Sequence, residues 1–199
     1  MRTTAEETEQ TNQLILETAI RIFSKKSYES VNMQDIAEAA GISRGPLYYR
    51  YKTKADLFRA AYCADSERQV EDYRAIFSQD KPILERIRDD MVYCTSGMEM
   101  EDYAAMNKSV LREQFPDLIE KTHDYEKQVF SIKEEAVSEA IAAGELRADA
   151  DAREIVNLMF IFAEGLFSVA NRHFRLSRKE IDARIDDLMD ILEKRYRAG

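Results

Sequence analysis

Residues 31–58 read VNMQDIAEAAGISRGPLYYRYKTKADLF, and this stretch decides the fold. Met33, Ile36, Ala37 and Ala40 recur at helical spacing on one face, and Gly41 follows, the residue type best able to take a left-handed backbone after a helix. The spacing predicts a helix of about two turns over 33–40. Ser43 stands where it can cap a second short helix over 43–50. Pro46 then falls in the first turn, where its missing N–H has no intrahelical partner to lose. Two short helices joined by a glycine-containing turn have the layout of a helix-turn-helix. In that arrangement the second helix presents its N-terminal side chains to base edges in the major groove while the first crosses the phosphate backbone.

The residue types fit those tasks. Ile36, Ala37, Ala40, Ile42 and Leu47 would hold the two helices together, leaving Gln34, Arg44, Pro46, Tyr48, Tyr49 and Arg50 outward or at the rim. Arg44 suits a bidentate contact to guanine O6 and N7, and Gln34 can reach adenine or phosphate. Gly45 and Pro46 carry no long side chain to hold the helix off the groove, and Pro46 can touch a thymine methyl. Tyr48, Tyr49 and Lys54 read as phosphate contacts, Lys54 opening a helix whose free N–H groups also favour an anion. The plainer alternatives are that Arg44 and Arg50 are solvated helix charges. Tyr51 belongs in the core, and Tyr48 fits either place.

Outward from this stretch the chain continues to read as helix. Ile15, Ala19, Ile22 and Phe23 make one stripe of a helix over about 8–25. A capping box at Thr53–Asp56 opens a helix running to about Ser78, and Asp80 with Pro82 starts another. Phe115-Pro116 breaks the chain before a long helix from about Asp117 to Gly144. Asp151 with Glu154 starts a helix to about His173, and a box at Ser177–Glu180 starts the last one, to about Tyr196. About nine helices and no convincing strand make an all-α fold. Only 6 Gly and 3 Pro in 199 residues leave little turn chemistry for a sheet.

Charge is unevenly spread. The chain carries −9 overall, yet residues 21–54 hold seven basic side chains against three acidic, a positive island that fits one local anionic partner. Cys63 and Cys94 have neither metal-like spacing nor disulfide density, which fits a reducing compartment. The first residues lack a signal-peptide pattern, and no run reaches the roughly 18 apolar residues of a membrane span, so a cytoplasmic protein is expected.

The run from Val31 to Phe58 resembles the N-terminal domain of TetR-family (tetracycline-repressor-type) transcriptional regulators. The matching stretch is about residues 12–62, under a third of the chain. It carries the Ile-Ala-x-x-Ala-Gly-Ile-Ser turn from Ile36, Leu47-Tyr48-Tyr49, and Lys-x-x-Leu from Lys54, in order and at the family's spacing. The resemblance implies a helix-turn-helix DNA-binding domain over 1–52, a connecting helix over 53–78, and a helical effector-binding and dimerisation domain over 53–199. Asn32 stands where the family often has Thr; Asn caps as well, so a phosphate contact there is expected to survive, and Met33 beside it joins the candidate interface. Gly45-Pro46 replaces the commoner Gly-Thr. A hydroxyl is lost there, so no operator sequence carries over from relatives.

The resemblance further implies dimerisation through the last two long helices, and the residues support this independently. In 151–173, Ile155, Leu158, Phe162, Leu166 and Val169 form one apolar stripe, while Phe160, Ala163 and Phe167, with Phe174 just beyond, form another. One stripe can pack at home and the other needs a partner. Ile181, Ile185, Leu188 and Leu192 lie alongside in the terminal helix, fitting an isologous four-helix interface. The competing reading is a monomer with a thick core.

The region 91–130 is the place to seek a small-molecule effector. Met91, Met98, Met100 and Met106 with Tyr93, Cys94, Tyr103, Phe115 and Phe130 suit an adaptable, mostly apolar pocket, or plain core filling. Asn107, Arg112, His123, Tyr125 and Glu164, the last beside the Phe160/Phe167 stripe, are candidate polar handles. Glu-Gly at 164–165 is frequent in the family and fits a structural role. His123 has Asp117, Glu120 and Asp124 nearby, but one His among surface acids is a solvated face rather than a metal site. No metal and no cofactor are expected. Without a phosphate loop or nucleophile motif, and with only two His, no catalytic residues are identified and an enzyme is the distant alternative. A repressor released from a palindromic operator by a small molecule is the leading expectation; an architectural DNA-binding protein without an effector is the rival.

Overall fold

The computed structural model describes residues 4–96, 106, 108–169 and 176–198, and among them every regular element is a helix. Nine are present: α1 (Thr4–Phe23), α2 (Met33–Ala39), α3 (Arg44–Arg50), α4 (Lys54–Phe77), α5 (Ile83–Ser96), α6 (Lys108–Gln114), α7 (Asp117–Ala142), α8 (Ala152–Val169) and α9 (Arg178–Tyr196). The expected punctuation operates at most boundaries. Gly41 and Gly144 take positive φ (67° and 78°) after α2 and α7, a backbone that side-chain-bearing residues rarely adopt. At α4 the Asp56 amide donates to Thr53 Oγ1 (3.1 Å) and the Thr53 amide to Asp56 Oδ2 (3.0 Å). Ser177 and Glu180 form the same reciprocal box at α9. Ser43 occupies the N-cap of α3 with extended backbone, but its side chain accepts no capping bond, contrary to expectation.

The chain divides into two compact units, each with its own core. The first runs through Arg68 and includes α6 and α7 up to His123; the second takes α4 from Gln69, α5, α7 from Asp124, α8 and α9. This differs from the expected division at 52/53. The reason is apolar: Leu111, Phe115 and Leu118, flanking the break at Pro116, are buried in one cluster with Phe23 and Phe58 of the helix-turn-helix unit. Phe58 stacks on Phe115 at 4.3 Å, and Tyr28 meets Phe115 edge-on at 4.9 Å. Each such ring removed from water contributes about 1.5–3 kcal/mol. In the same core Ile15, Ala19, Ile36, Leu47 and Leu57 fix α1 against α2, α3 and the start of α4.

In the second unit Ile83, Ile87 and Met91 of α5 pack with Ile155, Val156 and Met159 of α8 and Ile185, Leu188 and Leu192 of α9. The chain end is tied back, with the Arg147 amide donating to the Tyr196 carbonyl at 2.8 Å. This core corrects the expected dimer stripe. Ile155, Leu166, Ile181, Ile185, Leu188 and Leu192 are all buried within their own unit, Leu158 and Phe162 are partly buried against them, and only Val169 of that set is exposed. The apolar side chains that α8 and α9 leave outward are instead Ile161, 70% exposed, and Ile191, 54% exposed. Phe160 and Phe167 of the second stripe pack, partly buried, against the same core. No helix among the described residues is long and apolar enough to cross a membrane.

Candidate nucleic-acid interface and ligand site

The orientation of α3, the candidate reading helix, is set by what it buries. Leu47, fully buried, and Tyr51, whose hydroxyl donates to Asn12 Oδ1 at 2.8 Å, pin α3 to the core and to α1. Burial raises the Tyr51 hydroxyl pKa above its ordinary value, so the phenol stays a donor. With those two inward, Arg44, Gly45, Pro46, Tyr48, Tyr49 and Arg50 are exposed, Tyr49 by 80%. Gln34 of α2 lies beside Arg44: the guanidinium donates to Gln34 Oε1, and Gln34 Nε2 donates to Glu38 Oε1 at 2.6 Å. The two candidate base readers therefore form one hydrogen-bonded chain ending on a carboxylate. Lys52, which the motif reading passed over, donates to the Tyr48 carbonyl at 3.2 Å and lies 5.7 Å from the Tyr49 ring centre, adding positive charge at this rim.

Three candidates have other work. Met33 is buried in the first core, as its place on the apolar stripe also allowed, and cannot touch DNA from there. Asn32 is the N-cap of α2: its Oδ1 accepts from the Asp35 amide at 2.9 Å and its Nδ2 donates to Asp35 Oδ2 at 2.7 Å. Lys54 does not extend into solvent. Its ammonium donates to the carbonyls of Tyr28 (2.7 Å) and Val31 (2.8 Å) and lies 4.2 Å from the Tyr28 ring centre. The loop between α1 and α2 leaves those carbonyls without helical partners, and Lys54 supplies them.

The candidate ligand residues scatter. Met91 is core filling with no exposure, Met106 lies against the first core, and His123 is exposed at the end of the first unit. Glu164 is exposed rather than set among the Phe160 stripe. Met98, Met100, Tyr103 and Asn107 lie outside the described residues. Among the described candidates, Tyr93, Cys94, Phe130 and Phe160 come near a shared polar centre, whose charged pair and Tyr73 the sequence reading missed. Asp90 and Lys133, with 0% and 3% side-chain exposure, pair at 2.8 Å inside the second unit. The Lys133 ammonium lies 4.7 Å from the Tyr73 ring centre and 4.9 Å from that of Phe160. Phe130 stacks on Phe160 at 5.8 Å, and Tyr93 meets Tyr73 edge-on at 5.2 Å with its hydroxyl donating to Asp72 at 2.7 Å. Cys94 Sγ sits between Asp90 Oδ1 (3.6 Å) and the Tyr73 hydroxyl (3.4 Å). Burial, reinforced by the Asp90 charge, pushes the thiol up to about 11, and burial raises the Tyr73 hydroxyl further. Burial likewise raises Asp90, with Lys133 pulling against it.

Comparison with known proteins bears on both units. Residues 15–61 match the family model described as bacterial regulatory proteins, tetR family. The regulator AcrR of Shigella flexneri is 44% identical over 57 residues, 29% of this chain and 26% of that protein, so this likeness covers about a quarter of AcrR's length. TtgR of Pseudomonas putida, also an HTH-type transcriptional regulator, is 23% identical over 180 residues, 83% of this chain and 82% of TtgR. In fold, a TetR transcriptional regulator from Chloroflexus aurantiacus J-10-FL superimposes with a TM-score of 0.78 at 19% identity, covering 97% of this chain and 99% of that one. The motif at 31–58, the exposed α2–α3 face and an all-helical second unit thus meet in one chain that is similar to TetR-family transcriptional regulators, with the family's DNA-binding model matched over residues 15–61.

Proposed function

We propose that the chain works as a homodimer on a palindromic operator, where it represses transcription, and that a small molecule bound in the C-terminal helical unit releases it. The observation that carries the DNA half is the single exposed face holding Gln34, Arg44, Gly45, Pro46, Tyr48, Tyr49 and Arg50, set on a core that leaves α3 no freedom to turn away. Arg44 and Gln34 read base edges there; Tyr48, Tyr49, Arg50 and Lys52 hold phosphates. DNA reading belongs to residues up to 52, and effector binding and dimerisation to 53–199.

Dimerisation supplies the spacing, because two reading helices about 34 Å apart meet successive major grooves on one side of the duplex. Ile161 and Ile191, with Val169, are the apolar side chains on α8 and α9 that a partner copy would cover. Effector binding favours a conformation in which the reading helices are mis-spaced, and the coupling is the difference in its affinity for the two states, typically about 1–3 kcal/mol. We assign the chain no enzymatic role and place its work in the cytoplasm, with the DNA.

The test is fluorescence anisotropy with labelled DNA from upstream of its own gene, titrating salt against a shuffled competitor. Specific binding with two chains per site and a steep salt slope supports the reading. Equal, weak binding to both DNAs refutes an operator at that place and favours the architectural alternative.

A further inference from the structure

The second unit buries an ion pair, Asp90 with Lys133. Burying Asp90 and Lys133 strips water from two charges, and well-packed apolar residues in place of such a pair are often neutral or stabilising. The surroundings are specific to a cation: one carboxylate and two aromatic rings, those of Tyr73 and Phe160, all close around a single ammonium. The partners differ in reach. Lys133 carries its charge at the end of four methylenes rooted on α7, long enough to withdraw and snorkel. Asp90 hangs by one methylene from α5, has no exposure, and also accepts from Cys94. The carboxylate and rings are therefore the fixed part, and the ammonium is the removable one.

We propose that Asp90, Tyr73 and Phe160 form an effector subsite for organic ammonium ions, which Lys133 fills as an internal ligand until an effector displaces it. This rests on the effector-binding half of the proposed function and names the class of molecule. Phe130 stacked behind Phe160 and Tyr93 set against Tyr73 lengthen the apolar walls, so the cation should carry an aromatic or alkyl group. A metal ion fits poorly. One carboxylate beside a thiol that burial keeps protonated falls short of the several oxygen or thiolate ligands such ions take. Displacement also supplies a coupling, since freeing Lys133 releases α7 from α5 at the centre of the unit.

The experiment is calorimetric titration of the full chain with benzyltrimethylammonium, benzyl alcohol and phenylacetate, on wild type, Lys133→Met and the double variant Asp90→Asn/Lys133→Met. Removing the internal competitor should tighten benzyltrimethylammonium at least about tenfold, as for any site freed from a competing occupied state, and the double variant should lose that gain. Neither uncharged alcohol nor phenylacetate should follow this pattern. If Lys133→Met does not fold, the doubly neutral variant replaces it, and the expected result is ammonium binding by wild type that this variant lacks. Ammonium binding equal in all folded forms, absent from all, or replaced by phenylacetate binding that needs Lys133, overturns the proposal. Operator anisotropy in the same titrations separates the two readings. Ammonium binding without DNA release keeps the subsite and refutes release, whereas release by an unrelated compound with no ammonium binding does the reverse.

Discussion

Replacing Lys54 by Met separates two jobs a basic residue at the start of α4 can do. In the structure its ammonium makes two charge-assisted hydrogen bonds to loop carbonyls and lies 4.2 Å from the Tyr28 ring centre, in a half-buried position. Bonds to a charged group contribute about 1.5–3 kcal/mol each when fully desolvated. At half burial the low end applies, and water can replace part of what is lost, so Lys54→Met should cost about 2 kcal/mol of stability in urea unfolding followed by circular dichroism. Loosening the loop between α1 and α2 should weaken binding to all DNA sequences alike. Because the charge is spent inside the protein, the slope of log K against log salt should stay at the wild-type value. A phosphate contact behaves oppositely, lowering the slope by about 1 and leaving stability unchanged within about 0.5 kcal/mol. That second pattern would refute the assignment of Lys54 as a tie.

Arg44→Ala should cost about 1–3 kcal/mol of operator affinity and relax preference at one base pair, read by selection from a randomised operator; unchanged preference would move the reading role elsewhere. Ile161→Glu should leave the circular dichroism spectrum of the chain intact, since the residue is already 70% exposed, and convert dimer to monomer in sedimentation, with melting lowered only by the stabilisation that dimerisation supplied; a persisting dimer would rule out this face. Ser177→Ala should lower the melting temperature by a few degrees at pH 7. Hydrogen bonds from Ser177 hold the Glu180 carboxyl below its ordinary range, so the capping box stabilises above the unfolded carboxylate range near pH 4 and is lost as pH falls through the folded value. The gap between variant and wild type should therefore close in acid.

What the sequence makes legible is what local chemistry determines. Gly41, Pro46, the boxes at Thr53 and Ser177, and the stripe from Met33 to Ala40 each act within a few residues of themselves. They fix the helix-turn-helix and the exposed face of Arg44, Tyr49 and Arg50. Lys54 is misread from sequence because its partners, Tyr28 and Val31, are more than twenty residues away, and a cation at a helix start looks the same whether it faces a phosphate or a loop carbonyl. Phe115 falls in with the pocket candidates for a similar reason: nothing in its neighbourhood says that the helices around Pro116 bury their apolar faces with Phe58.

The second unit shows the same limit and also a signal that lies unused. Ile155 and Leu166 form as good a stripe as any interface would, and choosing between home core and partner needs the competing stripe's neighbours, which only the assembled unit supplies. The buried pair is different. Asp90 lies seven residues after Ile83 and three after Ile87, squarely in the apolar register of α5, and Lys133 lies four after Val129 and four before Val137 in that of α7. A lone charge on an apolar stripe is costly enough that a chain keeps it only with a partner. Two such residues of opposite sign, on separate helices, predict each other across the core. The aromatic residues near them in sequence, Tyr93 and Phe130, stand out from sequence for their bulk alone; the charges in register with the core give them a centre to surround, and that centre is where the chemistry of an effector should be sought.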